Sequence, residues 1–510
     1  MATENSNSGS QRRAMVTGAF YSFVALVAVK MLTVVRAVAI ARILGRSQLG
    51  FLTLLNQVVD TVSVLAGFGI TMAMTKFIAE HASQSRDRLG NTIKTSLMTM
   101  SIPLVVACVL LFVFAPLLAQ GFYHDRQYAI LFRLAAVIFA VQSLYAFGLG
   151  ILQGMKAIRE RSLADILTFA IGVPAVILLT VVARIAGAVI GQLILVVAGL
   201  AVVSFVLFRF SRALPPISAW RFDRTFLPEL VSLALPSFLS LLAMTPAVLI
   251  TTNLLFQTEG SAKTGLFSVA LTMFSFVLFV PVAVGMPLVP IIAEIHAGAK
   301  ERLQRLTSVA LDVVGFLVLV TTCLVTALAP LIVQVLYGLQ FASSWHAVAI
   351  MSGAAFPCSL GLIAGNYVLG TGRAWVGLLF NAVWFVAIVG SSLLLVRSHG
   401  ELGLAYSWWT AYLVETAVVM FYLRFKARLP LGYALCLCGI SIAVTVLSPL
   451  TYLRTHGVLM VGLEFGLLSA SGLAGYLLLP AKTELHSVIR TALQSLARIS
   501  ARVRRDSVAP

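Results

Sequence analysis

Apolar runs of about 20 or more residues follow one another from residue 15 to residue 480, separated by short polar connectors rich in Lys and Arg. At ~1.5 Å per residue a helix of that length crosses a hydrocarbon core of ~30 Å. The pattern predicts fourteen spans, near 15–41, 49–75, 92–118, 128–152, 162–183, 186–208, 226–256, 264–290, 306–336, 345–369, 375–396, 402–423, 431–453 and 457–480. The expected fold is an all-α polytopic membrane protein with about 14 transmembrane helices. The runs group into a cytoplasmic N-terminus (1–14), an N-lobe of spans 1–6 (15–210), a cytoplasmic linker (211–225), a C-lobe of spans 7–12 (226–424), spans 13 and 14 (425–480) and a basic tail (481–510).

The grouping into two lobes rests on an internal repeat, a common way of building transporters. "LGFLTLLNQVVDTVSVLAGFGITMAMTKFIAEH" from Leu49 aligns with "TGLFSVALTMFSFVLFVPVAVGMPLVPIIAEIH" from Thr264, so that Gly50 meets Gly265 and Glu80 meets Glu294. "LQGMK" (152–156) aligns with "LGTGR" (369–373) at nearly the same offset of about 215. Spans 1–6 and 7–12 are therefore read as pseudo-symmetric copies in one orientation, with spans 13 and 14 added. Prolines differ between the copies: Pro236 and Pro246 fall in span 7 and Pro281, Pro287 and Pro290 in span 8, whereas span 1 has none. Proline removes a backbone donor and kinks helices, so these serve either as bending points or as static packing features.

Composition and charge narrow the class. The chain has 510 residues, 60% of them hydrophobic and 11% charged, too apolar for a soluble domain. Its net charge of +18 would suit nucleic acid, but the cations cluster in alternate connectors. That is the bias that orients membrane helices, and it places both termini in the cytoplasm. In the tail, Leu485, Val488, Ile489, Ala492, Leu493, Leu496, Ile499 and Val503 recur at helical spacing among arginines. It reads either as an amphipathic helix on an anionic lipid surface or as a basic tail that enforces topology. The five cysteines lie in apolar runs and read as small hydrophobes. No metal-ligand spacing and no phosphate-binding loop is present, and no connector is long enough for a catalytic domain. A transporter without a cofactor is expected, not an enzyme.

Charges inside the spans are the candidate chemistry, because burying one in lipid costs about 2.5–3.5 kcal/mol. Span 1 carries Lys30, Arg36 and Arg42. Measured from the turn at residue 46, Arg42 lies ~6 Å deep and can reach the interface, Arg36 ~15 Å and Lys30 ~24 Å. Six residues turn a helix by ~600°, so each cation points ~120° from the last and the three do not share a face. Span 2 returns with Asn56 level with Arg36 and Asp60 level with Lys30, so a Lys30–Asp60 ion pair accounts for both charges. Glu415 in span 12 is the other deep carboxylate, placed to pair with Arg36 or to carry a proton. Span 7 has Thr251 where span 1 has Arg36, so one wall of an inter-lobe cavity would be positive and the other neutral. Asp165, Glu229, Asp312, Arg133 and Glu464 lie near span ends and read as interface anchors. Gly150/Gly154 and Gly361/Gly365 have the spacing of close helix packing.

"ARILGRSQLGFLTLLNQVVDTVSVLAGFGITMAMTKFIAE" (41–80) resembles the start of polysaccharide and O-antigen (Wzx-type) flippases: an A-R-x-L-G-x-x-x-x-G turn, a G-[FL]-G-[IL] stretch and a closing [FI]-I-A-E. These belong to the multidrug/oligosaccharidyl-lipid/polysaccharide (MOP) exporter superfamily, built of two six-helix lobes. "VRAVAIARILG" (35–45) is also similar to a segment of lipid II flippases in which two arginines six apart line the cavity. That likeness puts Arg36 and Arg42 on a pyrophosphate, whereas depth alone puts Arg42 at the interface. The resemblance implies a flippase for an undecaprenyl-pyrophosphate-linked oligosaccharide in a bacterial inner membrane, with Arg36, Lys30 and Arg42 on phosphate. Asp60, Asn56 or Glu415 would couple to H⁺ or Na⁺, and a polysaccharide polymerase or assembly protein is a conceivable partner. The alternatives are a cation-coupled multidrug exporter, a lipid II flippase, or a membrane glycosyltransferase or polymerase.

Overall fold

The computed structural model describes residues 2–67, 69–81, 86–209, 220–285, 300–429 and 431–452, with single positions at 288, 292 and 466. Among them the chain forms twelve α-helices and no strand. They are α1 (Ala2–Gly67), α2 (Ile70–His81), α3 (Arg86–Val113), α4 (Ala115–Tyr123), α5 (Ala129–Gly154), α6 (Ile158–Arg209), α7 (Leu227–Val277), α8 (Phe279–Gly285), α9 (Lys300–Ile332), α10 (Trp345–Gly370), α11 (Ala374–Phe425) and α12 (Gly432–Tyr452). Eight stretches are long and apolar enough to cross a membrane, and four of these run 41, 52, 48 and 51 residues. Each of the four is broken by non-helical backbone near its middle and carries two predicted spans, which gives twelve passes, and α12 carries span 13. Span 14 and the basic tail lie outside the described residues, 466 excepted, as do Glu464 and the linker at 210–219. Side chains such as Val182, Phe208 and Leu394 are at least 75% exposed, as lipid-facing surface requires.

The breaks carry the repeat in the backbone. Gly45 (φ 73°, ψ 173°) turns α1, and Gly260 (φ 82°, ψ 176°), 215 positions on, turns α7. Arg184 (φ 52°, ψ −129°) turns α6, and Gly400 (φ 56°, ψ −130°), 216 on, turns α11. After span 4 the amides of Met155, Lys156 and Ala157 bond to Ile151, Gln153 and Leu152, and those of Thr371, Gly372 and Arg373 repeat the pattern to Tyr367, Leu369 and Val368. The register in this region is therefore 216, one less than gapless alignment of "LQGMK" with "LGTGR".

The lobes meet around a pseudo-twofold axis. A Cβ added to Gly50 would lie 1.9 Å from the Ser261 carbonyl oxygen, and one on Gly265 would lie 1.8 Å from that of Arg46. Residues 46 and 261 are repeat mates, as are 50 and 265, so the contact is reciprocal. Of the predicted glycine pairs, Gly150 and Gly154 pack closely on Thr71, Met74, Thr75 and Ile78. The second pair differs: Gly361 faces Glu415 and Gly365 faces open space. The prolines of span 7 do not interrupt it, since Pro236 and Pro246 sit within helical backbone; Pro287 and Pro290 are outside the described residues. Asp312, expected at an interface, is buried, and Asp165 accepts a hydrogen bond from the Tyr145 hydroxyl at 2.8 Å.

Beyond the linker, the chain is tied to the start of span 3. Lys94 donates to the Trp220 carbonyl (3.0 Å), the Arg221 amide to Asn91 (2.7 Å) and the Asp223 amide to the Thr95 hydroxyl (2.9 Å). Asp223 caps the turn into α7 by accepting from the Thr225 hydroxyl at 2.6 Å and from two backbone amides. Those donors, the Thr225 hydroxyl first, hold its carboxyl below the usual carboxylate range.

Candidate functional site: a polar cavity in the N-lobe

A cavity of about 270 Å³ opens among spans 1, 2, 4 and 6. Its polar lining is Arg36 from span 1, Asn56 and Asp60 from span 2, Gln142 from span 4 and Gln192 from span 6. The turn at Gly45 sets this up, because it folds span 2 back along span 1 and brings residues 36 and 56 to one level. Arg36 donates from Nη1 to Gln192 Oε1 at 2.7 Å. A cation, a carboxylate and three amides thus converge where apolar side chains would otherwise pack.

The predicted site residues separate. Arg36, Asn56 and Asp60 share the cavity. Lys30 does not line it, and among the described residues no ion pair within 4.0 Å joins Lys30 to Asp60. Equal depth on adjacent helices is not enough, because Asp60 turns toward spans 4 and 6. Nor does Arg36 pair with Glu415. Glu415 is in the other lobe, buried against Gly361 beside Cys358 and Tyr412, with no cation within 4 Å among the described residues. Of the three cations of span 1, only Arg36 lines this cavity.

Arg42 neither snorkels freely nor enters the cavity. It crosses the lobe boundary, donating from Nε to the Leu336 carbonyl at 2.6 Å and from Nη2 to that of Val335. Its repeat mate, Gln257, makes the converse contact: Nε2 donates to the carbonyls of Phe122 (3.1 Å) and Gly121 (3.3 Å). His124 Nε2 also contacts Gln257 Oε1 at 2.6 Å, and Phe256 packs edge-on against Phe51 at 5.3 Å. The end of the lobes that carries Gly45 and Gly260 is therefore bridged by a reciprocal pair of latches.

A smaller cavity of about 140 Å³ lies between the lobes and shares Arg36 and Asn56 with the first. Thr53 lines it opposite its repeat mate Ser268, together with Thr272 and Tyr337. Sequence reading missed Gln142, Gln192, Gln257 and Tyr337 because none is charged. A search for any polar side chain deep in an apolar run would have found the glutamines.

Two six-helix lobes meeting across a pseudo-twofold axis define the fold of the MOP exporter superfamily. The fold matches an inward-facing MATE multidrug transporter of that superfamily with a TM-score of 0.69 at 16% identity, over 80% of this chain and 98% of the other. It matches the lipid II flippase MurJ in an inward closed conformation with a TM-score of 0.67 at 11% identity, over 90% and 99%. Residues 15–296 match the family described as "Polysaccharide biosynthesis protein", and the chain belongs to that family. The EPS I polysaccharide export inner membrane protein EpsE of Ralstonia solanacearum is 31% identical over 194 residues, 37% of this chain and 44% of EpsE; its counterpart in Ralstonia nicotianae is 30% identical over the same shares. The alignment thus spans less than half the length of these relatives. The chain is a multi-pass membrane protein of the polysaccharide biosynthesis protein family.

Proposed function

We propose that this protein flips an undecaprenyl-pyrophosphate-linked oligosaccharide from the inner to the outer leaflet of a bacterial cytoplasmic membrane, by alternating access of its two lobes. The observation that carries this reading is the Arg36 guanidinium, held by Gln192 in a cavity walled by amides. A guanidinium binds phosphate oxygens through paired donors, amides suit sugar hydroxyls, and the lipid tail stays in the bilayer. Family membership and the names of the Ralstonia relatives support the substrate class. The charge bias of the connectors supports cytoplasmic termini, which puts the Arg42/Gln257 latches outside. Membrane lipids surround the site, and a polysaccharide polymerase or assembly protein would receive the product. Transport, and not catalysis, is the role assigned.

Asp60 supplies the coupling group. With Asp60 ionised the cavity's formal charge is zero; with a proton or Na⁺ on Asp60 it is positive and holds a diphosphate more tightly. Glu415 is the corresponding candidate in the C-lobe. Asp60 is also the observation that favours the second reading, a cation-coupled exporter of cationic drugs. Arg36→Gln decides between them. Flipping predicts a loss of polysaccharide export of about 10- to 100-fold, the worth of a charged hydrogen bond, with lipid-linked oligosaccharide accumulating in the inner leaflet and normal protein levels. Unchanged export would sink the assignment, and a gain in drug resistance would favour the second reading.

A further inference from the structure

The two repeats hold a pair of tyrosines that do different things. "APLLAQGFYH" (115–124) and "APLIVQVLYG" (329–338) align without a gap, with Ala, Pro, Leu, Gln and Tyr identical. Each ends at a left-handed residue, His124 (φ 56°) and Gly338 (φ 89°), whose amide donates to Gln120 and to Gln334, both at 3.1 Å. The tyrosine before that residue is tied down in the N-lobe, where the Tyr123 hydroxyl donates to the Phe51 carbonyl at 2.7 Å. In the C-lobe it is not. Tyr337 is 2% exposed, and its hydroxyl has no partner in hydrogen-bonding geometry among the described residues. The neighbouring Thr272 hydroxyl gives its proton to the Ser268 carbonyl at 3.0 Å and lies beside the Tyr337 oxygen, but outside hydrogen-bonding geometry.

Tyr337 lines the inter-lobe cavity, facing a wall that carries Arg36, Thr53 and Asn56. Leaving a buried hydroxyl unpaired is costly, so an orphan donor beside a cavity marks a place for an acceptor. Arg36 has five N–H donors and spends one on Gln192, so the opposite wall also has donors to give. The hydroxyls of Thr53, Ser268 and Thr272 donate to their own helices and keep lone pairs for a ligand's hydroxyl.

We propose that the inter-lobe cavity is a second subsite, which holds an acceptor oxygen of the transported head group between the Tyr337 hydroxyl and the Arg36 guanidinium. The assignment rests on the head-group reading of the Arg36 cavity. The oxygen belongs either to the pyrophosphate or to the first sugar, and both offer the same acceptor. Because the two cavities meet at Arg36 and Asn56, one head group would bridge the lobes, with its remaining groups among Asp60, Gln142 and Gln192.

The test uses the full-length purified protein in nanodiscs and two probes, undecaprenyl pyrophosphate and undecaprenyl-pyrophosphoryl-N-acetylglucosamine. Tyr337→Phe removes only the hydroxyl. Binding should weaken about three- to tenfold, the factor one neutral hydrogen bond supplies. Weakening of both probes assigns the oxygen to phosphate; weakening of the sugar-bearing probe alone assigns it to sugar. If Tyr337→Phe binds both normally while Arg36→Gln does not, the subsite is overturned and the Arg36 reading stands. If neither variant changes binding, or the wild type binds neither probe, both are overturned. Thermal unfolding without probe gives a separate check. Loss of an orphan hydroxyl should leave the melting temperature equal or higher, whereas a fall of several degrees would make Tyr337 a structural donor and overturn the subsite.

Discussion

Span 4 of the N-lobe stands beside an open polar cavity, and 44% of its most apolar window is buried; its counterpart, span 10, is 89% buried. The backbone is repeated while the filling is inverted. At the repeat mates of the N-lobe cavity residues, Arg36 becomes Thr251, Asn56 Leu271, Asp60 Ser275, Gln142 Cys358 and Gln192 Trp408. Trp408 then joins Phe274 (5.3 Å), Trp384 (5.7 Å) and Tyr412 (6.0 Å) in an aromatic cluster where the other lobe is hollow. Even single contacts are exchanged: Tyr145 lies over Gly199 in the N-lobe, and at their mates Gly361 lies under Glu415. A duplicated fold can thus keep its turns at Gly45/Gly260 and Arg184/Gly400 while one lobe is hollow and the other solid.

The comparison is broken most directly by emptying the solid lobe. Trp408→Ala should destabilise the protein by about 3–5 kcal/mol, the usual cost of removing a buried Trp, and lower the yield of folded protein. Gln192→Ala, at the mated position, should cost less, about 1.5–3 kcal/mol for one hydrogen bond to a charged group, while weakening the hold on Arg36. Equal losses of stability in the two variants, measured by thermal unfolding in detergent, would mean that the lobes do not differ as described.

Asp60→Asn sharpens the comparison by testing whether the hollow lobe also titrates. It fixes the cavity in its positive form, so pyrophosphate lipid should bind as tightly at high pH as at low. The wild type should bind more weakly at high pH. The same slope in both proteins would move the coupling elsewhere, with Glu415→Gln the next variant.

The latches test the boundary between the lobes. Arg42 donates with a charged group and Gln257 with a neutral one, worth about 1.5–3 and 0.5–1.5 kcal/mol respectively. Labelling of a Thr53→Cys reporter by an impermeant maleimide, added on the side that carries Gly45 and Gly260, should therefore rise more in Arg42→Ala than in Gln257→Ala. Identical labelling in both variants and the wild type would show that neither contact closes that end.

Much of this is legible in the sequence, and the limits have physical causes. Long apolar runs fix helices in lipid almost alone, and the glycine and "LQGMK" matches suffice to locate the repeat. Arg36 and Asp60 stand out because deep charge is expensive, and depth counted along the helix then picks out Asn56 as level with Arg36. Depth says nothing of azimuth, so it pairs Lys30 with Asp60 wrongly, and it misses that Arg42, exposed near the end of its span, bonds across the lobes. Neutral polar groups carry too weak a penalty to stand out, which hides Gln142, Gln192 and Tyr337. The repeat itself holds the missing signal, since "APLLAQGFYH" and "APLIVQVLYG" bracket both latch acceptors and both tyrosines.

The smallest effect concerns a turn where the copies use different residues for one shape. Arg184 adopts φ 52°, ψ −129°, and Gly400 adopts φ 56°, ψ −130°. That conformation is open to glycine and strained for any residue with a Cβ, at a cost of about 1–3 kcal/mol. Arg184 also donates from Nη1 to the Ile43 carbonyl, just before the Gly45 turn. Arg184→Ala keeps the strain and loses the bond, so it should destabilise. Arg184→Gly loses the bond but releases the strain, so it should be more stable than Arg184→Ala by about 1–2 kcal/mol and close to the wild type. Gly400→Ala should destabilise by a similar amount, because it imports the strain with no bond to offset it. If Arg184→Gly and Arg184→Ala unfold at the same temperature, the turn is not strained, and the two lobes are less alike there than their dihedral angles say.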